Sequence, residues 1–458
     1  MTAQPLIICP VLGAIALLMA QHRLDAHERR FVIGAFVAHI AASFALVIYH
    51  EHIYQGGDML LYAELGKQLA YAMDVNFGRW APEVLKLALQ LDSDLPVDVI
   101  LPGTSTGTMS ALTGLVMFVV GENLYGVCLA ISFFSFFGAT SLYRAVRWKL
   151  QPSERQPALV GILLLPSVLF WSAGIVKEAF VVGFVGLVCK GLVDLLARRR
   201  VLAIVPLFVG LEGIALTKPY VLVSLAAAVG AWFYAGRGQK LGFAYKALGG
   251  VVVAVGIFLV AQRFPELSPE NVFDQITQKR QNFDLVEQGG SNISLGDGDA
   301  APSLGGNLKW APLGLLNSLA RPFLFEARNF SMAIAAFEMT AIVVVIVQVV
   351  RRMGARTIAR HVASDPILLS AAVFVLTFAT SVGLATKNLG SLSRYRVPMM
   401  PMYAAAVLVL RARVSARKSA VRPRSAPSER GGAARRTGAG GLSPAVRGGR
   451  ALTAPRRR

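Results

Sequence analysis

Charge is scarce in this chain. Only 16% of its 458 residues are charged against 55% hydrophobic, and mean hydropathy is +0.55. An ordinary soluble domain is excluded, because its interior could not hold that much apolar side chain; the surplus has to face lipid. Cysteine is scarcer still. Cys9, Cys128 and Cys189 each fall inside a predicted helix and read as small core residues, which excludes a disulfide or zinc set. The acidic run Gly296-Asp297-Gly298-Asp299 lacks the other ligands of a calcium loop, so neither metal nor cofactor is expected. The start Met1-Thr2-Ala3-Gln4-Pro5 has no basic n-region and no small-residue cleavage site follows, so 5–21 reads as a retained helix, with a cleaved signal peptide as the alternative.

What is abundant is long apolar runs. They predict an all-α, polytopic integral membrane protein with spans near 5–21, 31–50, 124–143, 157–173, 178–196, 201–217, 219–235, 244–262, 331–350, 366–385 and 397–411. That is about eleven transmembrane helices, each near the ~20 residues a bilayer requires. The basic connections His22–Arg30, Arg144–Arg155, Arg198–Arg200, Arg237–Lys246 and Arg351–Arg360 can all be placed on one side, the cytoplasm. The long loops 51–107 and 263–330 then lie outside. In the first, acids such as Asp58, Glu64, Asp74, Glu83 and Asp92 outnumber Lys67, Arg79 and Lys86. Thr108–Val120 does not fit as a crossing, since it would export the next basic loop, and is expected as a short re-entrant or juxtamembrane helix ending at Gly121. The expected location is the inner membrane, with the N-terminus outside and the C-terminus cytoplasmic.

The net charge of +20 is mostly a property of the end of the chain. From Arg411 onward there are fourteen Lys or Arg against one acid, Glu429, among Gly, Ala, Ser and Pro. The expected organisation is therefore an extra N-terminal helix and cytoplasmic loop (1–30), a membrane domain (31–411) and a disordered basic tail (412–458) lying near anionic lipid headgroups rather than on nucleic acid.

Polar residues at costly places indicate function. Gly56-Gly57 breaks the second span, and Asp58 then opens an amphipathic helix with Leu61, Leu65 and Leu69 along one face. Asp58 reads either as an N-cap or as a general base just above the membrane. Lys177, Lys218, Lys387, Arg394 and Arg396 are predicted at outer helix ends, where the orientation rule does not explain them; headgroup anchoring and phosphate binding are both open. Leu319–Asn329, with Arg321 and Glu326, reads as an interfacial helix whose Phe residues lie in lipid. Glu212 and Glu338, within apolar runs, are expected to be buried and to hydrogen-bond inside the bundle.

These residues, in order, resemble the C-type membrane glycosyltransferases (GT-C fold), in particular the protein O-mannosyltransferase and aminoarabinose-transferase branch. Asp58, Tyr62 and Glu64 are similar to that branch's acidic residue followed by Tyr-x-Glu. Lys177-Glu178 stand near its second acidic motif, Thr217-Lys218-Pro219 looks like its Thr-Lys-Gly turn, and Arg394-Tyr395-Arg396-Val397-Pro398 resembles the opening of its last core helix. The resemblance covers roughly 31–411. The chain departs from the branch in its extra first span, in lacking Glu-Lys-Pro after the first loop, and in Lys-Glu where Asp is usual.

The resemblance implies inverting transfer of a sugar from a polyprenyl-phosphate carrier to an extracytoplasmic glycan, lipid or protein acceptor. Asp58 would be the base and Glu178 a second catalytic or orienting group. Tyr62, Glu64, Lys177, Lys218, Arg321, Arg394 and Arg396 would bind substrate, the cations holding the phosphate as it leaves. Rival readings are a cell-envelope polysaccharide polymerase or ligase, a transporter or flippase, and a non-catalytic membrane scaffold. A transporter would show internal repeats, and none is seen.

Overall fold

The computed structural model describes residues 4–21, 24–236 and 309–421. The expected span 244–262, most of the loop 263–330 and the tail from 422 onward lie outside the described residues. The described residues up to Arg417 belong to one compact unit.

Among the described residues the chain is helical without strands. In order the α-helices are α1 (Gln4–Gln21), α2 (Ala26–Ile48), α3 (Asp58–Val75), α4 (Phe77–Ala88), α5 (Ser105–Val120), α6 (Leu124–Arg147), α7 (Pro152–Leu163), α8 (Pro166–Trp171), α9 (Lys177–Leu196), α10 (Ile204–Thr217) and α11 (Tyr220–Gly236). After the undescribed stretch come α12 (Ala311–Ala320), α13 (Phe330–Met353), α14 (Ala355–Ser364), α15 (Pro366–Ala385), α16 (Leu389–Tyr395) and α17 (Met400–Val421). Among the described residues six segments are long and apolar enough to cross a membrane: Ala26–Tyr54, Leu124–Arg147, Lys177–Leu196, Phe330–Met353, Pro366–Ala385 and Val397–Ala416. The chain is therefore a helical membrane protein.

Several expected boundaries change. The span foreseen at 157–173 is two helices, α7 and α8, separated at Leu164-Leu165. Pro166 is the cause, since it has no N–H to continue the ladder and keeps the preceding residue out of helical geometry. The run 201–217 begins as a 3₁₀ turn, which leaves only fourteen residues of α-helix in α10. The first outer loop contains the helical pair α3 and α4, and α5 is a full helix packed against α3 and α4. Leu319–Asn329 is not one helix. α12 stops at Ala320 because Pro322 follows its C-cap Arg321, and only the short 3₁₀ turn Leu324–Glu326 remains. The last helix runs on to Val421, ten residues past the expected end of the last span at 411.

The bundle is held by close helix crossings. α6 packs on α9 and α9 on α10, while α15 packs on both α11 and α12. At the α6–α9 crossing Gly138 meets Gly183 and Gly186 backbone to backbone, so a Cβ on Gly186 would overlap the Gly138 carbonyl. Small residues allow such approaches in membranes, where lipid tails supply no hydrophobic drive between helices. Gly186→Leu is expected to lower the stability of purified protein by at least the ~1–3 kcal/mol of ordinary overpacking; an unchanged melting temperature would contradict this crossing.

Charge sorts to the two ends of the bundle. At one end Glu28 of α2 accepts from Tyr143 (2.6 Å) and from Arg147 Nη2 (2.7 Å) of α6. Arg413, toward the C-terminus of α17, pairs with Glu154 in the first turn of α7 and with Asp365 before α15, both at 2.7 Å, and shares a cavity wall with Trp148, which follows Arg147. These groups lie in or beside the basic connections. The opposite end gathers the candidate functional residues.

Candidate functional site

The chain leaves α2 through a π-helical turn, Tyr49–Tyr54, and then a left-handed Gln55 (φ 50°). Such turns accompany functional sites more often than chance. Gly57 follows with φ +90°, and a Cβ there would sit 2.7 Å from the Tyr54 ring, so both backbone and space require glycine. Gly57 is the N-cap of α3, which makes Asp58 the first helical residue rather than a cap. Its carboxylate is thereby free to reach across the bundle.

Glu178, in the first turn of α9, is the hub. It is fully buried. Its Oε1 accepts from Lys218 Nζ at 2.6 Å and its Oε2 from Arg394 Nε at 3.0 Å. The other arm of the same guanidinium, Nη2, donates to Asp58 Oδ2 at 3.1 Å. Arg394 also lies over the Trp171 ring at 5.7 Å, and Lys218 over Tyr395 at 4.9 Å. Four segments distant in sequence thus converge on one chain of charges, Asp58–Arg394–Glu178–Lys218.

Helix dipoles favour four of the charges. Asp58 and Glu178 occupy first turns, where negative charge is stabilised. Lys218 caps the C-terminus of α10 and Arg394 lies in the last turn of α16, where positive charge is. Lys177 is the exception, a cation at the N-terminus of α9. It meets neutral groups, donating to Ser105 Oγ at 2.8 Å and standing 5.9 Å from the Tyr62 ring. A cation placed against the dipole, with neutral hydrogen-bond and ring contacts, is suited to an incoming anion.

The pairs differ in strength. Breaking a buried pair by removing one partner costs about 3–5 kcal/mol, whereas an exposed pair contributes ~0–1 kcal/mol. Glu178 is 0% exposed and Asp58 50%. Arg394 is therefore fixed by Glu178 and only loosely tied to Asp58. Burial works against the Arg394 charge, yet Glu178 and Asp58 together hold its pKa above the ordinary guanidinium value. Burial likewise pushes the Tyr62 phenol up, with Asp58 adding to it, so Tyr62 stays a neutral donor.

Of the residues expected from sequence, Asp58, Tyr62, Lys177, Glu178, Lys218 and Arg394 come together here. Three do not. Glu64 is exposed on the far face of α3, accepting from Gln68 at 3.3 Å. Arg321 pairs with Glu326 beside α12. Arg396 is fully buried and donates to the carbonyls of Ser318 and Arg321 rather than reaching Asp58 or Glu178. Its Nη1 thereby bonds the end of α12. Each Glu178 oxygen accepts from one of these cations, Lys218 and Arg394, so Glu178 holds both in place. Glu338 is buried and accepts from the Ser167 N–H and hydroxyl, as expected, but Glu212 is exposed on α10.

Sequence reasoning missed His50, Trp171 and Tyr395. His50 is buried, its Nδ1 lies 3.0 Å from the Gly56 carbonyl oxygen, and its ring stands edge-on to Tyr54. The signal for these three was slight, aromatic residues next to the helix breaks at Gly56, Pro166 and Pro398. Among the described residues no cluster of His, Cys, Asp or Glu is arranged to hold a metal ion. Comparison of the chain with family profiles, with curated proteins and with solved structures gives no match, so the geometry of this site carries the functional argument.

Proposed function

We propose that this chain is a membrane glycosyltransferase that moves a sugar from a polyprenyl-phosphate carrier to an acceptor hydroxyl on the extracytoplasmic side. The carrying observation is the half-exposed carboxylate of Asp58 tethered to an arginine fork, which the buried Glu178 fixes in place beside Lys177. A base beside an anchored phosphate binder is what such a transfer requires.

The reaction follows from these parts. The donor phosphate binds Lys177 and Arg394 and competes with Asp58 for the guanidinium, which the weakness of the exposed pair permits. Asp58 then takes the proton of the acceptor hydroxyl as its oxygen attacks the anomeric carbon. The carbon–oxygen bond to phosphate breaks on the opposite face, and polyprenyl phosphate departs with the electron pair, its charge held by the cations. Configuration at the sugar inverts.

The test is transfer by purified protein from a panel of polyprenyl-phosphate sugars, comparing wild type with Arg394→Lys. Lysine keeps the charge but cannot reach Asp58, Glu178 and a phosphate with one planar fork. The variant should show a donor KM raised about tenfold or more, the scale of one lost charge-assisted hydrogen bond. No transfer from any donor, or an unchanged KM, would overturn the proposal.

The proposed orientation puts Asp58 outside and the basic end in the cytoplasm. Asp92→Cys and Ser364→Cys are both exposed and lie near opposite ends, by Gln90, which bonds Leu216 near Lys218, and by Asp365. In intact cells an impermeant thiol reagent should label Asp92→Cys and not Ser364→Cys. The reverse pattern would invert the map.

A further inference from the structure

The basic end of the bundle holds two adjoining cavities that the sugar-transfer reading does not use. One, about 170 Å³, is lined by Arg144 and Arg147 of α6, Trp148, Lys190 of α9, and Arg198 and Arg200 beyond it. Its described lining contains five cations and no carboxylate. Glu28 reaches Arg147 from outside the lining, Asp194 reaches Lys190 and Arg198, and Arg155 bridges toward Asp25 and Glu28. The other cavity, about 140 Å³, runs between α6, α9, α11, α15 and α17 and is largely apolar, with Leu142, Leu225 and Val229 in its wall and Lys149, Asp365 and Arg413 also lining it. Trp148 lines both.

The rule that basic loops stay in the cytoplasm explains why cations lie at this end. It does not explain why five of them converge on one hollow, nor why that hollow abuts a greasy one. Glu28 and Asp194 between them pair with three of the five, so the hollow keeps an excess of positive charge that favours a further anion. A largely apolar cavity of this size, beside an indole at a membrane boundary, fits a hydrocarbon chain. One molecule satisfies both. Basic pockets between transmembrane helices on the cytoplasmic side are suited to anionic lipid headgroups.

We propose that this end of the bundle is a binding site for an anionic glycerophospholipid of the surrounding bilayer. Its phosphate sits among Arg144, Arg147, Lys190, Arg198 and Arg200, and one acyl chain passes Trp148 into the cavity lined by Leu142, Leu225 and Val229. The lipid ties α6 and α9 to α11, α15 and α17 at the end opposite Asp58. The site is independent of the sugar-transfer reading and stands or falls separately.

The test uses full-length protein in nanodiscs of phosphatidylcholine alone, of phosphatidylcholine with phosphatidylglycerol, and of phosphatidylcholine with glycerol phosphate in the buffer. Lipid retained after detergent exchange is counted by native mass spectrometry, and melting temperature is followed in parallel. Wild type should retain phosphatidylglycerol over phosphatidylcholine and melt higher with it, while glycerol phosphate should not reproduce the shift. Arg144→Gln with Arg200→Gln should weaken retention roughly 30-fold, about fivefold for each cation removed near the surface. Val229→Trp, which fills the apolar cavity and leaves every cation in place, should also lower it. Equal retention of the two lipids by wild type would overturn the proposal, and because that arm needs no variant it holds even if a substitution fails to fold. Loss with the arginine pair but not with Val229→Trp, or a full shift with glycerol phosphate, would reduce the site to a phosphate pocket and also overturn it.

Discussion

Replacing Asp58 with Asn is expected to lower glycosyl transfer by about 100-fold or more while protein level and folding stay near wild type. The fold makes this change unusually clean. Because Gly57 caps α3 and the Asp58 side chain does not, the substitution removes no capping bond. Asparagine keeps the size of the side chain, and the lost ion pair with Arg394 is half exposed, which costs at most ~1 kcal/mol. What disappears is the proton acceptor. The measurement is the single-turnover rate with donor pre-bound, since chemistry and not donor affinity should fall. Donor binding should even tighten slightly, because Asp58 no longer competes for Arg394. A variant that transfers sugar at the wild-type rate would remove Asp58 from the mechanism and favour the scaffold or polymerase readings.

The part of this site that was legible in the sequence is the part that physics forces to be conspicuous. A charge beside an apolar run has to sit at a helix end or find a partner, and Asp58, Glu178, Lys218 and Arg394 do both. Partnership across the bundle was not legible, because nothing local says that residue 178 will meet residue 394. The two clearest misplacements share one cause. Glu64 is two residues from Tyr62, and Arg396 two from Arg394, and two residues turn a helix by ~200°. Each pair therefore divides between opposite faces. Tyr62 faces the site while Glu64 faces solvent, and Arg394 reaches Glu178 while Arg396 turns toward α12. A short motif written as a string hides that division. The broken helix α7–α8 had a visible signal in Pro166, which an apolar run of the right length overrode. Length alone says that a segment can span, not that its backbone does so in one piece.

Glu178→Gln should be the most destabilising single change at this end of the bundle, by about 3–5 kcal/mol, the usual cost of stripping one partner from a buried ionic group. Glutamine matches glutamate in shape, so no cavity forms; the loss is electrostatic. It leaves Lys218, 7% exposed, and Arg394, 16% exposed, facing each other across a neutral amide. Their repulsion then has to be relieved by movement, and Arg394 has the nearer exit because Asp58 draws it toward solvent. The donor site should loosen as a result, so activity falls together with melting temperature. A second change separates the two effects. In Glu178→Gln with Lys218→Met one of the stranded cations is gone, and stability should recover in part, but Arg394 still lacks its anchor and donor KM should stay high. If Glu178 instead touched substrate, activity would fall through kcat with donor KM unchanged in both variants. A Glu178→Gln protein that melts with the wild type would show that the buried triad does not hold this end together, and Arg394 would then need another explanation for its fixed position.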